Sequence, residues 1–120
     1  MWDIDWTDEF EKWLLSEDAQ VRKDTRFGLG LLREAGPHLG RPYVDTIKGS
    51  RFSNLKELRV QSKGRPIRIF FAFNPIRQAV LLIGGNKHGR KRFYEQYVPL
   101  AEQILEKYLK EFEHEKRKEI

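Results

Sequence analysis

LKELRVQSKGRPIRIFFAFNPIRQAVLLIGGNKHGRKRFY, residues 55–94, decides how this 120-residue chain is read. It holds three consecutive strands and most of the unbalanced positive charge. In LKELRV, period-two alternation sets Leu55, Glu57 and Arg59 on one face and Lys56, Leu58 and Val60 on the other. QSKGRP supplies the Gly and Pro of a hairpin turn. IRIFFAF reads as a mostly buried strand that stops at Asn74–Pro75. AVLLIGG is a continuous apolar run, as a central strand covered on both faces requires. From Arg41 to Arg92 there are 13 Lys and Arg against two acids, Asp45 and Glu57, a net charge of +11 that leaves −6 for the remainder. A basic sheet flanked by acidic helices is the electrostatic footprint of a polyanion partner, and nucleic acid is the first to consider. An acidic protein, an anionic membrane surface or no polyanion at all is compatible with the same pI of 9.6.

Upstream, WDIDW alternates Trp2, Ile4 and Trp6 with Asp3 and Asp5, so residues 2–6 are expected to form a strand with one buried face. Thr7 is placed to cap a short helix reaching about Leu15. Asp8 and Glu9 lie in its first turn, where the macrodipole favours acids, and Phe10, Trp13 and Leu14 form its apolar stripe. Ser16 reads as the cap of a longer helix carrying Val21, Thr25, Gly28, Leu29 and Leu32, which Gly36 and Pro37 end. Gly28 and Gly30 each cost this helix roughly 1 kcal/mol relative to Ala. Close approach to a neighbouring element is the expected reason for keeping both. GPHLGRPY is a loop, 43–47 a short edge strand and 48–54 a loop again. Downstream the period changes: Phe93, Tyr97, Leu100, Ala101, Ile104, Leu105, Tyr108 and Phe112 recur at threes and fours, which predicts a long amphipathic helix, with 113–120 expected to fray. The fold class is therefore α+β. An N-terminal strand and helical pair pack with a C-terminal helix on a mainly antiparallel sheet of about four to five strands, in a single domain over 1–120.

Several chemistries lack their residues. With no Cys there is neither a disulfide framework nor a thiolate metal site, and His38, His88 and His114 match no zinc spacing, so no metal or other cofactor is expected. The glycine-rich nucleotide loops GxGxxG and GxxxxGK[ST] do not occur, and the basic sheet has no carboxylate cluster for two-metal nuclease chemistry. No apolar run approaches the roughly 18 residues that span a bilayer. MWDIDWTDEF is acidic where a signal peptide is basic, so a cytoplasmic protein without membrane contact is expected.

Arg68 interrupts an otherwise apolar strand, and a desolvated guanidinium needs a partner or an open cleft. Arg59, on the preceding strand, comes close to it across a hairpin turned around Lys63–Arg65. Two adjacent arginines repel unless an anion joins them. Glu57 or a helix acid is one candidate anion, and a phosphate is the other. Lys87 follows Gly84–Gly85–Asn86 at the end of the last strand, where a rigid element presents a side chain at the sheet rim. The run HGRKRFY then combines His88, Arg90, Lys91 and Arg92 with Tyr94, the mixture of phosphate contacts and stacking surface that single-stranded nucleic acid uses; a solvated loop has the same composition. Cleaving RNA without metal needs a base for the 2′-hydroxyl, cations for the charged pentacoordinate phosphate and an acid for the leaving oxygen. Arg59, Arg68 and Lys87 suit the second role. Tyr94 and Lys87, with ordinary pKa values of about 10 and above, need a depressed value to act as base. His88 titrates in range already, as a possible proton-transfer group or an exposed bystander; His38 and His114 lie in a loop and a tail.

Three separated pieces, NLKELRV, GRPIRIFFAF and AVLLIGGNKHGRKRFYEQYVPLAEQIL, resemble in order and spacing the RelE/ParE superfamily of toxin–antitoxin toxins, most closely its HigB-like branch. The resemblance covers nearly the whole chain. It implies a ribosome-dependent endoribonuclease that cuts translated mRNA by metal-independent 2′-hydroxyl attack. It also implies a cognate antitoxin, helix-turn-helix and HigA-like, through which alone the toxin meets operator DNA. By position, Arg59 and Arg68 resemble the family's phosphate-binding residues on adjacent strands, Lys87 the cation ending the last strand, and Tyr94, with Arg90 or Arg92, the C-terminal aromatic and basic position. Arg59, Arg68, Lys87 and Tyr94 are thus the expected catalytic set, and Lys56, Arg65, Arg90, Lys91 and Arg92 the expected RNA-binding set. Glu57 departs from the pattern, standing where some RelE-type toxins have a basic residue. Two alternatives share the fold: a ParE-like toxin that inhibits DNA gyrase by binding, and a degenerate member that only binds antitoxin or RNA.

Overall fold

Two backbone positions at the tip of the central hairpin fix the register of the sheet. Lys63 and Gly64 both have positive φ, 50° and 78°, the geometry of a two-residue hairpin loop whose twist matches its strands. In the computed structural model, which describes residues 1–118, the elements run β1 (Asp3–Trp6), α1 (Asp8–Ser16), α2 (Ala19–Ala35), a 3-10 turn (Gly36–His38), β2 (Val44–Thr46), β3 (Lys56–Ser62), β4 (Arg65–Phe73), β5 (Gln78–Asn86) and α3 (Phe93–Lys118). The five strands form one sheet in the order β1-β5-β4-β3-β2. Only β1 and β5 pair in parallel; the other neighbours are antiparallel. The expected α+β architecture, a helical pair and a C-terminal helix on a mainly antiparallel sheet, is the one observed.

Alternation sorts the two faces. Leu58, Val60, Ile67, Ile69, Phe71, Ala79 and Leu81 pack with Phe10, Val21 and Leu32 beneath α1 and α2. Leu55, Phe70, Ala72, Val80 and Leu82 pack with Phe93, Ala101, Ile104 and Leu105 beneath α3. Phe70, Phe71 and Phe93 are fully buried, and truncating such a side chain to Ala typically costs about 3–5 kcal/mol.

One irregularity in β5 matters for the site. Opposite β4, Phe70 pairs with Ile83 but Phe71 pairs with Leu81, so Leu82 is an extra residue in the ladder. A bulge of this kind exchanges the faces of every residue beyond it. Gly84 therefore meets Trp13 of α1, whereas Gly85, now opposite Arg68, meets Tyr97 and Phe93 of α3. A Cβ on Gly85 would lie 2.7 Å from the Tyr97 ring. The double glycine is a pair of seats for aromatic rings, one on each face.

Several expectations need correction. Ser16 does not cap the second helix: its hydroxyl donates back to the Trp13 carbonyl at 2.6 Å and so belongs to the last turn of α1. Asp18 takes the capping role, accepting from the Val21 N–H at 2.9 Å. Thr7 caps α1 as expected, accepting from the Phe10 N–H at 3.2 Å. Trp6 is not on a buried face. It ends an edge strand and is 53% exposed, while Trp2 packs edge-on against Phe73 with centroids 5.0 Å apart. Leu100 likewise lies outside the buried stripe of α3. Of the two helix glycines, Gly28 touches the sheet, with Val60 Cγ2 3.1 Å from where a Cβ would stand, but Gly30 meets nothing within 4 Å. Gly30 instead opens onto an apolar hollow of about 360 Å³ between β1, α1 and α2. The expected fraying over 113–120 falls partly on residues 119 and 120, outside the described residues; α3 is helical as far as Lys118. No helix among the described residues is long and apolar enough to cross a membrane.

Candidate active site

The β3–β4 register places Arg59 directly opposite Arg68, and β-alternation puts Glu57, two residues before Arg59, on the same face. Glu57 is 3% exposed, so its carboxylate has left water and must be matched by donors. Two side chains donate to it and a third stands beside it as an ion pair. Arg59 Nε and Nη2 both donate to Glu57 Oε2 at 3.2 Å, the Tyr94 hydroxyl donates to Oε1 at 2.7 Å, and Arg68 Nε lies 3.6 Å from Oε1, an ion pair without a hydrogen bond. Arg68 Nη1 donates to the Ile67 carbonyl at 3.1 Å, while its buried Nε has no hydrogen-bond partner among the described residues. A second carboxylate stands at the margin: Asp45 on β2 accepts from Arg59 at 3.3 Å and from Arg41 at 3.0 Å. The Arg41 hydrogen bond, with help from the Thr46 N–H, holds the Asp45 pKa below the usual carboxylate range.

Tyr94 comes from the first turn of α3, and its ring packs edge-on against Phe70 and Phe93. Burial first, and the Glu57 hydrogen bond second, push its pKa up, with Arg68 working the other way. A base at neutral pH needs the opposite shift. The phenol therefore keeps its proton and acts as a donor. Lys87, turned onto this face by the Leu82 bulge, holds its ammonium 5.2 Å from the centre of the Tyr94 ring and forms no ion pair with a carboxylate among the described residues. Its own N–H donates to the Pro66 carbonyl at 2.9 Å, which pins the end of β5 to β4.

All four residues of the expected catalytic set thus gather around one point. Glu57 occupies that point, a place that sequence reasoning underrated. The available signal was its isolation: it is the only acid between Arg51 and Arg92, and it stands on a strand next to Leu58. Among the expected RNA-binding residues, Lys56 alternates to the α2 face, its ammonium 3.2 Å from the Thr46 hydroxyl. Arg65 is engaged with Asp18 at 2.6 Å and with the Ser62 carbonyl at 3.0 Å, joining the hairpin to the N-terminus of α2. Arg90, Lys91 and Arg92 are exposed at the rim beyond Lys87. Arg90 donates to the Tyr97 hydroxyl at 3.1 Å, and Arg92 stands 3.9 Å from Glu95. His88 is exposed in the same turn; its main-chain N–H is bonded to Asn86 Oδ1 at 3.0 Å.

A family model described as "Phage derived protein Gp49-like (DUF891)" matches residues 12–106, from within α1 to the middle of α3. The chain belongs to this family. The Gp49-like span includes Glu57, Arg59, Arg68, Lys87 and Tyr94, so the whole cluster lies inside it. The chain is also similar to two proteins of Mycobacterium tuberculosis. It is 41% identical over 120 residues to "Putative toxin HigB2", covering 96% of this chain and 60% of that protein. It is 43% identical over 102 residues to "Putative toxin HigB3", covering 84% of this chain and 88% of that protein. The Gp49-like chain therefore spans less than two thirds of the length of the first relative and most of the second.

Proposed function

We propose that this chain is the toxin of a toxin–antitoxin pair, of the HigB-like branch of the RelE/ParE superfamily. Its activity is that of a ribosome-dependent endoribonuclease, cutting translated mRNA without a metal by attack of the 2′-hydroxyl. The names of the two relatives support the toxin role. The observation that carries the enzymatic part is the opposed pair Arg59–Arg68, sharing one buried carboxylate with Tyr94 beneath an unneutralised Lys87.

The roles follow from protonation and charge. Glu57 is the proton acceptor for the 2′-hydroxyl once substrate displaces the Tyr94 hydrogen bond. Arg59, Arg68 and Lys87 stabilise the negative charge that builds on the pentacoordinate phosphorus. Tyr94, kept protonated, gives its proton to the departing 5′-oxygen, and the product is a 2′,3′-cyclic phosphate. Arg90, Lys91 and Arg92 hold the strand by its phosphates as it leaves the pocket. A cognate antitoxin, helix-turn-helix and HigA-like, is the partner that silences the toxin and carries it to operator DNA. A gyrase inhibitor acting by binding alone has no use for a phosphate pocket in the sheet.

Primer extension on an actively translated mRNA, with purified DNA gyrase supercoiling measured in parallel, tests the reading. Cuts within the translated frame, abolished by Arg68→Ala in a folded protein, are expected. Gyrase inhibition without cuts identifies the non-enzymatic toxin instead, and full growth arrest by folded Arg68→Ala removes Arg68 from the site.

A further inference from the structure

Beside the guanidinium pair lies a groove that the cleavage chemistry does not use. β2 pairs with β3 only through Val44–Thr46, and the last backbone bond along that edge is from the Arg59 N–H to the Tyr43 carbonyl at 2.7 Å. Alternation turns the Gln61 N–H and carbonyl toward the same open side, and the Gln61 N–H has no backbone partner there among the described residues. α2 roofs this edge, held close by Gly28 against Val60. The resulting cavity, about 410 Å³, is lined by Asp24, Phe27, Tyr43 and Gln61 and shares Arg59 and Arg68 with the cluster. Its volume falls within the range of about 300–1,000 Å³ typical of small-ligand sites. Phe27 is 72% and Tyr43 45% exposed. Neither ring is packed into the core, and both border a cavity whose far rim is cationic.

We propose that this groove is a nucleobase pocket: a base of the RNA strand whose phosphate rests on Arg59 and Arg68 stacks against Phe27 and Tyr43 and is read by Asp24 and Gln61. This rests on the endoribonuclease reading and adds a specificity element to it. The chemistry selects a class of base. Both oxygens of the Asp24 carboxylate accept from the Gln20 amide at 3.1 Å, and the Ser62 side chain is the leading cause that lowers its pKa; the second lone pair that each oxygen keeps suits an exocyclic amino group. Adenine, cytosine and guanine carry such a group and uracil does not. Stacking on an aromatic face is indifferent to base identity, so Phe27 supplies affinity and Asp24 supplies choice. The groove adjoins the phosphate site, since the two arginines line both.

The test uses the full chain and short labelled 2′-deoxy homopolymers of adenine, cytosine and uracil, which cannot be cleaved, with affinity read by fluorescence anisotropy at one fixed salt concentration. Tighter binding of adenine and cytosine than of uracil is expected. Phe27→Ala should weaken all three by about tenfold, and Asp24→Asn should narrow the gap between them. Lys12→Ala, on the outer side of α1, serves as the control and should change neither. Equal binding of all three bases by the unmodified chain, unchanged affinity in Phe27→Ala, or no binding at all overturns the pocket. Loss of antitoxin binding in Phe27→Ala with oligonucleotide binding intact overturns it too and assigns the groove to the protein partner. The two readings fail separately. Cuts in translated mRNA with a Phe27-independent base preference leave the nuclease standing without this pocket, whereas base-selective binding lost in Phe27→Ala, without any cuts, leaves the pocket without the nuclease.

Discussion

Arg59 and Arg68 face each other across β3 and β4, and the carboxylate of Glu57 lies against both guanidinium groups. The two positive charges are tolerated on one sheet face because a single acid serves both, with Asp45 as a second partner of Arg59; in the proposed reaction the shared acid takes the proton. Glu57→Gln keeps the shape and removes the charge. Cleavage of translated mRNA should fall by about 100-fold or more, and thermal or urea unfolding should show a stability loss of about 2 kcal/mol from the uncompensated guanidinium pair. A folded Glu57→Gln protein that cuts at the normal rate would remove Glu57 from the reaction.

Tyr94 is a donor whose pKa is raised, first by burial and then by Glu57. In a spectrophotometric titration of phenolate absorbance, Tyr94→Phe should delete a tyrosine from the late, high-pH part of the curve. Deletion of an early-titrating tyrosine would contradict the geometry. The same substitution should reduce cleavage while leaving RNA affinity nearly unchanged, because the ring and its contact with Lys87 are kept.

Asp18 caps α2 and binds Arg65 at the base of the hairpin, and that hydrogen bond leads the causes that lower its pKa from 3.8 to about 2. A depressed carboxylate contributes stability that is present above its unfolded-state value and lost as pH falls through its folded-state value. The melting temperature of the unmodified chain should therefore drop more steeply between pH 4 and pH 2 than that of Asp18→Asn, which keeps a capping oxygen but has no charge to lose. Parallel curves would show that the contact does not contribute.

The two glycines of α2 should respond oppositely to alanine. Gly30 faces open space, so Gly30→Ala should stabilise by about 0.5–1 kcal/mol through helix propensity alone. Gly28→Ala pushes a methyl group against Val60 and should destabilise by about 1 kcal/mol. Chemical denaturation of the two variants measures both signs.

Periodicity explains why most of this fold is legible in the sequence. The threefold and fourfold spacing after Phe93 is a direct image of which side is dry, and Gly64 marks a turn that uses left-handed residues, whereas 55–60 does not sort its faces cleanly because both are covered. The failures have a different origin. Ser16 and Asp18 are both good caps two residues apart, and only the contact of Asp18 with Arg65, 47 positions away, separates them. Trp6 alternates correctly, but alternation does not say whether an edge strand is covered. The site was legible in its cations, because unpaired charge on apolar strands is visible as composition. It was not legible in its centre. Glu57 looked like an exception to a basic pattern, and its place between two arginines depends on hairpin register. The aim of Lys87 depends on one surplus residue, Leu82, that no local pattern distinguishes from its apolar neighbours.

The parallel pairing of β1 with β5, Ile4 beside Ala79 and Trp6 beside Leu81, joins the first strand made to the last. During synthesis the β3–β4 hairpin can close on its own, bringing Glu57, Arg59 and Arg68 together early, but the sheet has no place for the N-terminal segment until β5 has emerged. Lys87 and Tyr94 arrive later still. The pocket is thus complete only once the segments that carry Lys87 and Tyr94 have joined the hairpin.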